Sequence, residues 1–354
     1  MNMPTTNKSL LSGTRRKFLQ YGTAVGVGAQ TFLHSGNLKA AVVEGKEAAG
    51  LNEDWPEMQY RKLGRTGHNS SRLVFGCGAT LSREPHDELL NTAFDAGVNT
   101  FDVGFQHYYG EAEKNMVDFL KKKKDQIFLI SKAFVPVDIE WDATITADQA
   151  RAAAKGWTDY LDESLQTMNI DHVDAYYYMG QNNVSIINNE EIHRAFETAK
   201  AQGKVSYLGV STHQNAANVL EAAADSGWFD LAMIAITPGG WYDWQDKAIL
   251  SGSPPLKDLQ PILNKAKQAG MGLVGMKAGR FIAGRAWLGW GNPDAFDKYY
   301  DENLLKAKLS AFQRSYAFVL ENGLDVVNAD MQNLLHLKEN FVAAATSSEY
   351  FDVA

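Results

Sequence analysis

The chain has 354 residues, 45% of them apolar, enough to bury one large core or two smaller ones. Its 34 basic and 42 acidic residues leave a net charge of −8, with no basic block longer than residues 121–124, so it lacks the positive footprint that nucleic acid requires. A single cysteine, Cys77, excludes an intrachain disulfide; between Gly76 and Gly78 it reads as a small residue packed in a strand.

Residues 1–40 differ from the rest. They hold Lys8, Arg15, Arg16, Lys17 and Lys39 and no acid. Thr14-Arg15-Arg16-Lys17-Phe18-Leu19-Gln20 resembles a twin-arginine signal, followed by a weakly apolar stretch (21–33) and a small-residue exit at Leu38-Lys39-Ala40-Ala41. A charged start, an apolar middle and a small-residue end mark a removable targeting peptide. The apolar part is too short and too rich in Gly and Thr for a stable membrane span. The expectation is a chain handled by the twin-arginine translocase and delivered to the periplasm or another extracytoplasmic space. Without these residues 29 basic side chains face the same 42 acidic ones, a net charge of −13. That pathway moves folded proteins, often with a cofactor already bound. Residues 41–58, polar and alanine-rich, read as a linker.

A regular alternation begins at Gln59. Residues 59–63 and 69–72 flank the turn Gly64-Arg65-Thr66-Gly67, which predicts a hairpin. Short apolar runs follow at 73–76, 98–101, 127–130, 173–178, 205–210, 231–236, 272–276 and 324–327. Helical patterns separate them. Ala150, Ala154, Trp157, Leu161, Leu165 and Met168 recur at spacings of three and four, as do Ile192, Ala195, Phe196 and Ala199, and, after the last run, Leu334, Leu337 and Phe341. Eight short strands, apolar on both faces and each followed by a helix, predict an α/β fold: a (β/α)8 TIM barrel over 59–345 with a short N-terminal β-hairpin and a tail at 346–354. A doubly wound sheet would carry a glycine-rich fingerprint at its first turn, and Gly76-Cys77-Gly78 is only a fragment of one.

Two connections are long. One, 237–255, carries Trp241, Tyr242 and Trp244; the other, 278–301, carries Phe281, Trp287, Trp290, Phe296, Tyr299 and Tyr300. Both fall on the mouth side of such a barrel, where exposed aromatics would stack on a sugar or another flat ligand; the alternative is that they pack on each other as a lid.

In a parallel barrel, polar residues at the carboxyl ends of strands face the mouth. Asp102 ends one apolar run, Lys132 ends the next, and His107, Tyr108 and Tyr109 lie between them. An acid, a phenol and an amine at one mouth form a proton-transfer set.

These residues resemble the aldo/keto reductase superfamily. The opening Tyr60-Arg61-Lys62-Leu63-Gly64-Arg65-Thr66-Gly67 is similar to the family's hairpin. Asn99-Thr100-Phe101-Asp102 is similar to the strand ending in its catalytic Asp, Tyr109-Gly110-Glu111-Ala112-Glu113 to the segment of its catalytic Tyr, and Leu129-Ile130-Ser131-Lys132 to the strand ending in its catalytic Lys. Gly203-Lys204-Val205-Ser206-Tyr207-Leu208-Gly209-Val210-Ser211 and Val274-Gly275-Met276-Lys277 resemble later strands. The resemblance implies carbonyl reduction with NADP or NAD, held tightly if the chain is exported. Tyr would be the general acid, with Lys lowering its pKa and Asp pairing with Lys; a phenol near pKa 10 needs such help at neutral pH. It also implies cofactor contacts from Ser211, Thr212, Lys277, Gln332, Glu339 and Asn340, and a small carbonyl or sugar substrate.

The chain departs from the family at four places. Met179 stands where the family has His, and methionine cannot usefully hydrogen-bond a carbonyl. The commoner Asp-to-Tyr spacing lands on His107, the Tyr-Gly signature on Tyr109, and Tyr108 lies between, so the acid is left open among them; His107 is also a candidate for the missing strand-four role. Asp330 and Gln332 stand near the family's phosphate-binding glycine and basic residue, and Ile236-Thr237 ends the sixth strand in place of an aromatic. Two other readings use the same mouth: a cofactor-free small-ligand or carbohydrate-binding protein, and an isomerase or lyase working through Lys132 and Tyr109. The histidines show no ligand spacing, so no metal site is expected.

Overall fold

The computed structural model describes residues 55–283 and 291–351. The export segment, most of the linker, Trp287 and Trp290 lie outside the described residues. Two strands, β1 (Tyr60–Lys62) and β2 (Asn69–Ser71), form the antiparallel hairpin. The barrel consists of β3 (Leu73–Gly76), β4 (Thr100–Asp102), β5 (Phe128–Ala133), β6 (Val173–Tyr178), β7 (Val205–Thr212) and β8 (Leu231–Thr237), then β11 (Gly272–Met276) and β12 (Val326–Asp330). Between β8 and β11 a small antiparallel extension intervenes, β9 (Gly240–Asp243) and β10 (Ala248–Ile249). The eight barrel strands are parallel, and the ring closes where Gly209 to Thr212 pair with Leu231 to Ile234.

Both faces of these strands are covered, which is why they read as continuous apolar runs. Val74, Ile130, Ala175, Tyr177, Met233, Val274 and Val326 fill the interior. The alternate residues pack under the helices in one outer core; Tyr176 and Tyr178 meet Trp157, for example, and Phe101 meets Phe119. The helix Ala147–Met168 shows how the sequence sets an element. Thr146 and Gln149 form a reciprocal capping box, the buried stripe runs through Trp157, Leu161 and Leu165, and Asn169 ends the helix in the left-handed region at φ 53°.

The hairpin stoppers the amino-terminal end of the barrel. Leu63 is fully buried in the interior cluster. Arg65 Nε pairs with Asp230 Oδ1 at 2.7 Å, and the Tyr207 hydroxyl donates to the Thr66 carbonyl at 2.9 Å. The chain entering the hairpin is anchored too: Trp55 packs edge-on against Phe341, 4.8 Å between ring centroids.

Several expected boundaries move. The second barrel strand begins at Thr100, not Val98, because the Val98 N–H is held by the Ala93 carbonyl at the preceding helix end. The last strand runs to Asp330, because Leu324 is tied back to Val319 and Asp325 to Leu273 before pairing begins. After the helix Leu334–Thr346 the chain makes a 3-10 turn, Ser347–Tyr350, with Ser347 buried against Glu321 and Arg72. Among the described residues no helix is long and apolar enough to cross a membrane.

Of the two readings of the first long loop, stacking on a ligand or packing inward, burial favours the second for two of its three aromatics. Trp241 and Tyr242 lie on β9 and are only 3% and 1% exposed, because antiparallel pairing of β9 with β8 folds them inward. In the second loop Phe281, Phe296 and Tyr299 pack on one another, and Tyr300 packs on Phe318. Trp244 alone of the first loop's three keeps partial exposure.

Candidate active site

Asp102 closes β4, and Lys132 lies near the end of β5 beside it. Both are almost wholly buried, at 4% and 3% exposure. Lys132 Nζ donates to Asp102 Oδ1 and Oδ2, each at 2.6 Å, and to the Val103 carbonyl at 2.7 Å. An ammonium has three N–H groups, so these contacts use its donor capacity. Across the barrel, Asn328 on β12 donates from Nδ2 to Asp102 Oδ2 at 2.5 Å. The carboxylate thus carries two partners, and the pair satisfies the condition under which a buried ion pair is tolerated.

Tyr109 ends the short helix Gln106–Tyr109, which is tied to β5 by the Phe105 N–H on the Lys132 carbonyl at 3.0 Å. Its ring occupies a slot between two glycines. A Cβ on Gly78 would stand 2.4 Å from Tyr109 Cε1, and one on Gly104 would stand 2.6 Å from Cδ2. Lys132 Nζ lies over the ring, 5.3 Å from its centroid. Gly104→Ala is therefore expected to push the ring off the ammonium and lower turnover by about a hundredfold, the cost of roughly 1 Å of misplacement. Steady-state kinetics beside a thermal melt test this; wild-type turnover in the variant would refute the slot.

The expectation of a lowered phenol pKa is not met on balance in this arrangement, where burial outweighs the ammonium at the ring. Tyr109 is pushed well above its ordinary value near 10, first by burial and then by Tyr108, Asp102 and Asp330. The reason is visible in the contacts: the ammonium spends its hydrogens on Asp102 and Val103 and faces the ring instead of the hydroxyl.

The other candidates separate. Tyr108 packs edge-on against Tyr109, 4.7 Å between centroids, and against Phe134. His107 is corrected: it points away from the mouth, with Nε2 2.8 Å from Glu163 Oε2 and its ring between Phe105 and Tyr160. It cannot supply the missing strand-four imidazole. Met179 is 5% exposed in the outer core, its N–H held by the Ala133 carbonyl. The Ser211 hydroxyl accepts from the Gly180 N–H at 2.9 Å, and the Thr212 hydroxyl donates to Asn182 Oδ1 at 2.9 Å, so both brace the loop after β6. Lys277 stands one residue past β11, over Trp244. Gln332 follows β12, while Glu339 accepts from the Ser310 hydroxyl and Asn340 is buried on the last helix. Asp330 is exposed at the end of β12, its Oδ1 taking the Thr80 hydroxyl at 2.6 Å and the Thr80 N–H at 3.1 Å.

Sequence reading passed over two polar residues of this centre. Asn328 shares its strand face with Val326 and Asp330, so the period of two already aimed it at Asp102. Glu113 lies behind β5, accepting from the Ser131 hydroxyl at 2.7 Å, with its second oxygen buried and unpartnered; burial pushes its carboxyl up to about 7. Among the described residues no cluster of three metal-ligating side chains exists. A cleft of about 510 Å³ lies apart from this centre, lined by Trp141, Asn183, Asn188, Asn218 and Asp225 among others.

Residues 72–238 match the model of the aldo/keto reductase family. A Schizosaccharomyces pombe protein named as an aryl-alcohol dehydrogenase is 26% identical over 188 residues, covering 44% of this chain and 52% of its own. The L-glyceraldehyde 3-phosphate reductase of Escherichia coli is 27% identical over 172 residues, covering 46% and 47%. The chain therefore spans about half the length of these curated relatives. Among solved structures, a Pseudomonas aeruginosa protein named as an aldo-keto reductase superposes with a TM-score of 0.55 at 18% identity, covering 84% of this chain and 98% of that one, a likeness of fold.

Proposed function

We propose, from the premise that this chain carries an aldo/keto reductase family domain, that it is an oxidoreductase interconverting a carbonyl and an alcohol with a nicotinamide dinucleotide. The observation that carries the reading is the buried Asp102–Lys132 pair beneath the slotted ring of Tyr109. Both curated relatives bear names of alcohol–aldehyde chemistry, which agrees with it.

When bound, the dinucleotide supplies the two electrons. Gln332 beyond β12 and Glu339 on the last helix would hold it, while Ser211, Thr212 and Asn340, all buried, would shape the wall beside it. Asp330, exposed at the end of β12, disfavours a 2′-phosphate there, so NAD fits better than NADP. The chain's own part is proton transfer. A phenol held above its ordinary pKa stays protonated at neutral pH, and Tyr109 gives that proton to the carbonyl oxygen as the carbon is reduced. The cation of Lys132 under the ring offsets the phenolate left behind. Tyr108 packs Tyr109 from the side, and Met179 contributes only packing. Cofactor-free binding of a flat ligand loses support with the burial of Trp241 and Tyr242.

The acid-free segment with Arg15-Arg16 supports export before function. One experiment tests both parts. The full chain is expressed, recovered by cell fraction, and titrated calorimetrically with NAD and NADP; aldehyde turnover is then assayed. NAD binding tighter than NADP, turnover, and periplasmic recovery lost on Arg15→Lys with Arg16→Lys are expected. Neither dinucleotide binding and no turnover would overturn the oxidoreductase reading. Unchanged fractionation of the double variant would overturn the export reading.

A further inference from the structure

We infer that the mouth also holds a subsite for a negatively charged group on the substrate, built by Lys247, Lys277 and Arg280 around Trp244. The inference rests on the carbonyl-reductase reading and names its substrate class: an aldehyde or ketone that also bears a carboxylate or phosphate.

Three cations converge on one ring. Lys247 Nζ lies 2.9 Å and Lys277 Nζ 4.2 Å from the Trp244 centroid, with Arg280 Cζ at 6.0 Å. A single cation over an indole needs no further explanation; three on the same indole repel one another. Among the described residues none of the three side chains forms an ion pair or a hydrogen bond. The three carboxylates that act on the lysines are engaged elsewhere, Asp102 by Lys132 and Asn328. Asp243 accepts from Gln214 Nε2 and from the N–H groups of Gln245 and Asp246, and Asp330 accepts from Thr80. His213, its ring 6.2 Å from Trp244, is held neutral by burial and by the two lysines, its pKa near 3.

The backbone points the same way. Among the described residues only three that are not glycine have positive φ, and two of them are Lys247 at 56° and Lys277 at 70°. A side chain in that region is strained, and such strain gathers at ligand clamps. Here it aims two ammonium groups at one ring. Burial, then Lys277 and Arg280, push Lys247 down to about 7; burial, then Arg280 and Lys132, push Lys277 down to about 8. Lys277 is half-buried, one residue past β11. Lys277 follows the carboxyl end of β11, the same end of the barrel at which Asp102 closes β4 and Lys132 stands on β5, so the cluster belongs to the same mouth as Tyr109. An anion lodged there would relieve the repulsion and hold a substrate by the end opposite its carbonyl.

The test compares the full wild-type chain with a Lys247→Met, Arg280→Met double variant, and with Lys247→Arg. Three quantities are measured: the ratio of kcat/KM for 4-carboxybenzaldehyde to that for benzaldehyde, the affinity for inorganic phosphate by calorimetry, and the affinity for NAD. The double variant is expected to lower both the ratio and phosphate affinity by about tenfold or more, with NAD affinity kept, and Lys247→Arg to retain most of each. An unchanged ratio overturns the proposal. A loss of NAD affinity with an unchanged ratio also overturns it and assigns the cluster to the dinucleotide. Should neither aldehyde turn over, the carbonyl reading fails; loss of phosphate binding in the double variant then still supports an anion site, and its retention overturns it.

Discussion

Lys132→Met is expected to cut carbonyl turnover by about a hundredfold to a thousandfold and to destabilise the fold by about 3 to 5 kcal/mol. Both effects come from one group. The ammonium is 3% exposed and donates to Asp102 and Val103, so its loss strands a buried carboxylate with Asn328 as its remaining partner. It also removes the one cation that, among the described residues, lies at the Tyr109 ring to offset a phenolate. Urea denaturation and steady-state kinetics separate the two losses. Adding Asp102→Asn to the variant should restore much of the stability, since no charge is then left unpaired, and none of the turnover. A single variant as stable and as active as the wild type would remove Lys132 from both roles.

Tyr109→Phe should lower turnover by about a hundredfold to ten-thousandfold while leaving the melting temperature nearly unchanged. Its hydroxyl has no hydrogen-bond partner among the described residues, and the slot between Gly78 and Gly104 holds the ring, which phenylalanine keeps. Tyr108→Phe, one position away, should cost at most about threefold. The raised pKa gives the wild-type enzyme a direction. Below the phenol's pKa the acid form persists, so reduction should be flat between about pH 6 and 9. Alcohol oxidation needs the phenolate and should climb with pH through that range without levelling. An oxidation rate that saturates near neutrality would mean that a different group carries the proton.

The sequence exposed the barrel because parallel strands buried on both faces must be continuously apolar, and eight such runs stand between helical stripes. Strand ends were less legible. Val98 and Leu324 are apolar enough for a strand, yet their N–H groups are held by the preceding helices. At the site, Asp102 and Lys132 were readable from strand ends, whereas the choice among His107, Tyr108 and Tyr109 was not. Consecutive residues of a helical turn face different ways, and the structure seats Tyr109 through Gly78 and Gly104, outside its own turn. The raised phenol was equally hidden, since it depends on where Lys132 spends its three hydrogens. The aromatic loops stayed ambiguous for a related reason: β9 pairing with β8 decides the burial of Trp241 and Tyr242, and composition does not reveal that partner.

The stopper formed by Leu63 and the Arg65 turn has a mechanical consequence. The Arg65 N–H holds the Gly270 carbonyl ahead of β11 while its side chain holds Asp230 ahead of β8, so one short turn clamps the entries of two neighbouring strands. A clamp at the end where no chemistry takes place steadies the mouth without occupying it.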